Sequence, residues 1–299
     1  MTSSKSFQEY IPFLTKRVST IECICVSMEH FVLTRFNVRF KGTSTARIHD
    51  SAWLTKRLQL FEQFCLPSIV RQTRLPNAWI VFFDDGTPDG ARSQFEEMIR
   101  PHAFIKSVYC SDFSPELAAE CVRRYASPGC EWLITTRLDN DDAINSRLLE
   151  TIFECASAGK YEFINAPNGL IIFQDRFYRI TDRSSPFISA SESIENVKTV
   201  MIDQHHHLGR YAPIRQLPLK YAWLQVIHGD NVANRVYGIR VPSGSVDSRS
   251  FPSAFATRTR KESWDEIIVD NSFGFAVRLS GSIVRSLLTK TRQLLNVAS

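Results

Sequence analysis

No apolar stretch is long enough to cross a bilayer. Runs such as Trp79–Phe83 and Leu170–Phe173 fall far short of the roughly 20 residues a spanning helix needs. The amino-terminal MTSSKSFQEYIPFLTKRV lacks a sustained apolar core followed by a small-residue cleavage site, so a secretory leader is not expected. The seven cysteines (Cys23, Cys25, Cys65, Cys110, Cys121, Cys130, Cys155) are odd in number and scattered. No second pair joins Cys23 and Cys25 to complete a zinc site, and the expectation is reduced, mostly buried thiols in a cytoplasmic protein. Charge of one sign is also lacking: 36 basic against 31 acidic residues give +5. That excludes the dense cationic face of a nucleic-acid binder but suits a partner carrying phosphate. There is no repeat, no low-complexity block and no Gly-rich phosphate loop before Phe40.

What is present is an ordinary globular composition, 43% hydrophobic and 22% charged over 299 residues. At this size roughly three-quarters of the unfolded chain's surface can be buried, so the fold needs neither disulfides nor metals. The first half alternates two kinds of pattern. HFVLTRF (30–36), WIVFF (79–83), Phe104–Cys110 and WLITTRL (132–138) read as strands, and WIVFF is apolar enough to be buried on both faces. Between them, Trp53, Leu54, Leu58, Phe61 and Phe64 recur at helical spacing, and Ala91–Arg100 reads as a helix. Ser114 followed by Pro115 predicts a capped helix reaching Tyr125. Leu148, Leu149, Ile152 and Phe153 begin another helix, which Gly159 stops. Strand and helix in alternation predict an α/β fold: a mostly parallel sheet covered on both faces, with ligands outside the carboxyl ends of the strands. In the second half Asn168-Gly169 signals a hairpin, and Ser243–Ser263 reads as a mobile loop.

Two acidic clusters end two of the buried strands. Asp139, Asp141 and Asp142 follow WLITTR directly. Carboxylates this close repel one another and lose hydration, which is costly without a cation or several donors. Hard oxygen donors at this spacing suit Mg²⁺ or Mn²⁺, which leave positions for substrate phosphates. A helix cap at Asp142 or Asn145 needs one carboxylate, not three. An EF-hand starting at Asp139 fails because Ala143 and Ile144 stand where a ligand and a glycine are required. The second cluster, Asp84-Asp85-Gly86, closes WIVFF. Alone it could be a surface turn. At an adjacent strand end it would share a crevice, where a carboxylate can accept the ring N–H of a uracil, thymine or guanine base.

The set HFVLTRFNVRF, LFEQFCLPSIVRQT, FFDDGTPDG, TTRLDNDDAI and WLQVIHGDN, spanning residues 30 to about 235, resembles a bacterial family described as rhamnosyltransferases. IVRQTRLPNAWIVFFDDGTPDG is similar to the nucleotide-binding opening of GT-A glycosyltransferases, and LITTRLDNDD to their Asp-x-Asp metal motif. The resemblance implies a GT-A-like sheet with a mixed acceptor-side region. It implies that Asp84 or Asp85 reads the base and that Asp139 and Asp141 hold a metal–diphosphate, with Asp142 beside them. The Gln-x-x-Arg-Trp motif and membrane helices of processive synthases are missing, which favours single transfer. The family name assigns rhamnose; nothing in the residues fixes that sugar.

Further candidates follow. GT-A enzymes often bring a late histidine to the metal or diphosphate, and His228, after an apolar run and before Gly229-Asp230, has that place. Asp203 is a candidate base for the acceptor hydroxyl, which His205, His206 or His207 could instead supply. Arg35, Arg57 and Arg137 could contact diphosphate through their forked donors. The expected division is an extension (1–29), a GT-A-like domain (30–240, halved at 160), a loop or linker (241–263) and a carboxy-terminal helical segment (264–299). The apolar stripe Ile283–Leu295, flanked by Arg278, Arg285, Lys290 and Arg292, either packs on the domain or lies on an anionic membrane. The expected partners are a nucleoside diphosphate sugar and a glycan or lipid-linked acceptor. The rival functions are nucleotidyl transfer and a non-catalytic nucleotide- or sugar-binding module.

Overall fold

In the computed structural model, which describes residues 27–39, 45–228, 236–256 and 262–274, the apolar runs of the first half become four parallel strands. They are β1 (Met28–Arg35), β2 (Ala78–Asp84), β3 (Ile105–Cys110) and β4 (Trp132–Arg137). Their spatial order is β4-β1-β2-β3. The chain therefore builds outward from β1 to β3 and then returns to the other side of β1. That reversal leaves a crevice beyond the carboxyl ends of β1 and β4, where open α/β sheets bind ligands.

All seven residues of β2 are buried, because both faces of the sheet are covered. Trp79, Val81 and Phe83 pack into one layer, with α2 (Ser51–Leu60), α3 (Leu66–Val70), α4 (Asp89–Ile99) and α6 (Leu148–Cys155). Ala78, Ile80 and Phe82 pack into the other, with α5 (Pro115–Tyr125). Asp50 caps α2 by accepting Trp53 N–H at 2.8 Å, and Ser114 caps α5, as expected, by accepting Leu117 N–H at 3.2 Å. A π-helical turn, Phe61–Cys65, joins α2 to α3. In it Leu66 N–H bonds Phe61 O, five residues back.

Three more strands extend this sheet beyond β4: β6 (Glu162–Asn165), β9 (Ser189–Ser193) and β10 (Ile214–Gln216), with β9 antiparallel to β4 and β6. A second, mixed sheet runs β12-β8-β7-β11-β5, from β5 (Ala143–Ile144), β7 (Asn168–Phe173), β8 (Arg176–Thr181), β11 (Trp223–Val226) and β12 (Ile239–Val241). The expected α/β architecture, mostly parallel with a mixed second region, is what forms.

Two local readings differ. Asn168-Gly169 does not turn a hairpin: β6 and β7 lie in different sheets, and the hairpin joins β7 to β8 through Gln174 and Asp175, both at positive φ. Gly169 is required for another reason, since a Cβ there would sit 2.2 Å from the Trp223 ring. Residues 243–256, read as a mobile loop, instead bury Val246, Phe251 and Ala254 against Leu170, Phe177 and Leu224 of the second sheet. The extension before residue 27 and the stripe 283–295 lie outside the described residues.

Candidate active site

The acidic loop leaves β4 where Leu138 N–H bonds Leu33 O at 3.1 Å, so it opens beside the end of β1. Asn140, buried in the loop, ties it there: its Nδ2 donates to Phe36 O at 2.8 Å and its Oδ1 accepts from Arg57 Nη1 at 3.2 Å. The three aspartates then point to three different partners. Asp139 faces Arg137, whose Nη2 lies 3.3 Å away. Burial pushes its pKa up, but Arg137 and Arg35 hold it below the ordinary carboxylate value. Asp141 pairs with Arg57 Nη1 and, at 3.0 Å, with His228 Nε2. Asp142, only 1% exposed, accepts Val226 N–H at 2.8 Å and fastens β11 to the loop. Burial, with Asp141 and Asp139 alongside, raises its pKa well above the ordinary value. Its carboxyl is thus tied into the packing of β11 against the loop.

Among the described residues no three His, Cys, Asp or Glu side chains converge on one point. Mg²⁺ and Mn²⁺ do not require that, since one or two carboxylates suffice when substrate phosphates complete the shell. Asp139 and Asp141, hard oxygen donors that already carry cationic partners, fit such an ion. Asp142 does not.

The wall opposite is built on the end of β2. Asp84 is fully buried and both its oxygens are held. Oδ1 accepts from Gly86 N at 2.8 Å and from His49 Nε2 at 2.6 Å, and Oδ2 lies 2.5 Å from Arg39 Nε. Burial raises its pKa, but Arg39, His49 and the Gly86 N–H together bring it below the usual range. Asp85 is the more accessible of the two aspartates: its side chain is 50% exposed, with Arg39 Nη2 3.6 Å from its Oδ1. Gly86 is obligatory because a Cβ would come within 2.6 Å of the His49 ring. Arg92 holds the turn from outside, donating from Nε to Thr87 O at 2.7 Å and from Nη2 to Asp85 O.

Arg35 and Arg137 stand together at the ends of β1 and β4. Burial and the charge of Arg137 bring the Arg35 pKa down to about 10 against the pull of Asp139. Two guanidiniums with one carboxylate between them make a ready seat for an anion. Arg57, one helical turn beyond Trp53 on α2, reaches the loop from the other side with its guanidinium 5.2 Å from that indole.

Asp203 lies in the bend before a 3₁₀ turn, His205–Arg210. Its Oδ1 accepts Gln204 N–H at 2.7 Å and lies 3.3 Å from His207 Nδ1, and its Oδ2 accepts Tyr211 O–H at 3.1 Å. The chain before it is held rigidly. Buried Glu192 accepts the backbone N–H groups of Lys198 (2.8 Å) and Thr199 (2.9 Å), Thr135 Oγ1 accepts that of Val200 (2.8 Å), and Thr199 sits at φ 63°. A β-branched residue at positive φ is a strained arrangement that its surroundings must enforce.

The sequence thus led to the strand ends but missed Arg39, His49 and Asn140. Asn140 was visible as the uncharged member of Asp139-Asn140-Asp141. The other two carry no local signal, since their significance comes only from contact with Asp84 across 35 residues or more.

A family model described as "Putative rhamnosyl transferase" matches residues 30–240. No curated protein matches the chain. Among solved structures, Staphylococcus aureus TarS 1–349 in complex with UDP-GlcNAc is similar over 71% of this chain and 62% of that one, at 13% identity and TM-score 0.41. A "putative nucleotide-diphospho-sugar transferase" from Desulfovibrio desulfuricans G20 is similar over 67% and 81%, at 12% identity and TM-score 0.37. The 4-diphosphocytidyl-2C-methyl-D-erythritol synthase of Anaerococcus prevotii is similar over 82% and 96%, at 11% identity and TM-score 0.35. The chain spans less than two thirds of the TarS fragment it matches.

Proposed function

The chain belongs to the family described as "Putative rhamnosyl transferase", and from that premise we propose that it moves a single sugar from a nucleoside diphosphate sugar to an acceptor hydroxyl. The observation that carries the reading is the placement of Asp139 and Asp141 among Arg35, Arg57 and Arg137, in the crevice where the strand order reverses. An anionic diphosphate is the ligand that such alternating charges receive. The forked donors of Arg35 and Arg137 bind its oxygens, and Asp85, at the open rim of β2, accepts the N–H of the base.

Asp139 and Asp141 hold Mn²⁺ or Mg²⁺ in this proposal, with His228 orienting Asp141 through its Nε2. Such an ion, when bound, neutralises the charge that grows on a departing diphosphate. With such an ion bound, Arg57 would still be held at the loop by Asn140. The family name supports rhamnose, a hexose, as the sugar. The acceptor is a glycan or a lipid-linked saccharide, and the enzyme is cytoplasmic.

Peripheral contact with an anionic membrane belongs to the same proposal. No helix of the described residues is long and apolar enough to cross a membrane. Trp264, Ile268 and Val269 on α8 (Trp264–Val269) are 69%, 60% and 59% exposed. The sequence after them carries Arg278, Arg285, Lys290 and Arg292 and no acidic residue after Asp270. An exposed indole beside cationic chain suits the interface of an anionic bilayer.

A thermal-shift screen of nucleoside diphosphates with and without Mn²⁺ tests the donor site. Stabilisation by at least one of them, increased by Mn²⁺ and lost in Asp139→Ala, is expected. No response to any nucleotide would overturn the reading.

A further inference from the structure

Resting on the transferase reading above, we propose that His205 Nε2, rather than Asp203, is the base that takes the proton of the acceptor hydroxyl. His205 and Ser184 are bonded reciprocally: Ser184 Oγ–H donates to His205 O at 2.5 Å, and His205 Nδ1 lies against Ser184 O. A carbonyl oxygen only accepts, so Nδ1 carries the ring proton. Nε2 of the neutral imidazole is then a bare lone pair. No described residue hydrogen-bonds that Nε2.

Ser184 precedes by four residues Ile188, whose carbonyl accepts Arg137 N–H at 3.1 Å, which brings the bonded Ser184–His205 pair toward the end of β4. Burial lowers the His205 pKa, opposed by the Ser184 bond and Asp182 and reinforced by Arg137 and His206, which favours the neutral ring that the Ser184 carbonyl bond already specifies. Behind it, the segment from Lys198 to Val200 is clamped by Glu192 and Thr135. A base must be held this way if a small misplacement is not to cost rate. Asp203 has the opposite character. Both its oxygens are engaged by Gln204, His207 and Tyr211, so it caps the turn that presents His205.

The step balances without a further reactant. The acceptor oxygen gives its proton to Nε2 and forms the bond to the anomeric carbon. The bond from that carbon to the diphosphate oxygen breaks, and the nucleoside diphosphate leaves with the electron pair. The imidazolium then returns its proton to water. One displacement at one face inverts the anomeric centre.

His205→Asn tests this, because its amide can still donate to Ser184 O but offers no basic atom. The assay follows nucleoside diphosphate released from a panel of UDP- and dTDP-sugars, with methyl glycosides or water as acceptor. Turnover should fall roughly 10²–10⁴-fold, while UDP affinity and melting temperature stay at wild-type values. Added imidazole should restore part of the turnover of His205→Gly, a rescue that a purely structural histidine would not show. Should His205→Asn fail to fold, His205→Gln replaces it with the same expectation. Near-wild-type turnover in these variants, or imidazole leaving His205→Gly as inactive as before, would overturn the assignment. If the wild-type chain itself releases nothing and binds no nucleotide, the transferase reading fails first.

Discussion

His228 Nε2 lies 3.0 Å from Asp141 Oδ2, although 87 residues separate the two. The contact joins the end of the second sheet to the acidic loop of the first, and Arg57 meets the same carboxylate from α2. Repulsion among three aspartates would predict that removing one relieves the ion-free protein. The pairing predicts otherwise. Asp141→Asn should cost about 1–3 kcal/mol of stability, as a largely buried guanidinium loses its counter-charge and the His228 ring its carboxylate partner. Urea unfolding in chelator checks this, and an unchanged or raised midpoint would contradict it.

The two aspartates at the end of β2 should separate cleanly. Asp85→Ala should weaken nucleoside diphosphate binding by roughly 1.5–3 kcal/mol, the worth of a charged hydrogen bond, with little change in melting temperature. Asp84→Ala should instead destabilise the fold, since Arg39, His49 and Gly86 N–H all lose their acceptor. Calorimetric titration of UDP, with thermal melts of both variants, distinguishes them. Equal effects would merge the two roles.

Glu192 gives a pH dependence of known sign. Burial raises its pKa from 4.5 to about 7, against the pull of the Lys198 and Thr199 amides. The folded state therefore keeps a proton that the unfolded state releases above pH 4.5. Its stabilisation is complete below that pH and is lost as the pH rises through about 7. Relative to wild type, Glu192→Gln should gain on the order of 3 kcal/mol between pH 4.5 and 8. Parallel stability profiles for the two proteins would refute the shift.

Membrane contact is decided by sedimentation. Wild-type chain should pellet with phosphatidylglycerol vesicles at low salt and stay in solution at high salt, since each basic residue near the surface adds about 1 kcal/mol. Trp264→Ser with Ile268→Ser should reduce the pelleted fraction without changing nucleotide affinity. Absence of wild-type protein from the pellet at low salt would remove this part of the proposal.

Much of the first half was legible because its signals are local. Ser114 caps the helix its position predicted, and WIVFF is buried on both faces as an unbroken apolar run requires. The acidic strand ends were legible too, because a charge after a buried strand has only one exit. What Asp84 and Asp142 do with their charge was not, since it depends on Arg39, His49 and the Val226 backbone, residues distant in sequence. The hairpin failed for a related reason. Asn168-Gly169 has the turn composition, but Gly169 answers to the Trp223 ring of another strand.

The most direct test of the central claim is which bond of the donor breaks. Wild-type chain and Asp139→Ala are incubated with Mn²⁺ and either nucleoside diphosphate sugars, nucleoside diphosphate-rhamnose included, or CTP and a sugar phosphate, and the products are resolved by anion exchange. The account predicts that nucleoside diphosphate and transferred or free sugar appear with wild type and are lost in the variant. Release of pyrophosphate from CTP, with no nucleoside diphosphate from any sugar donor, would contradict it and leave nucleotidyl transfer in its place.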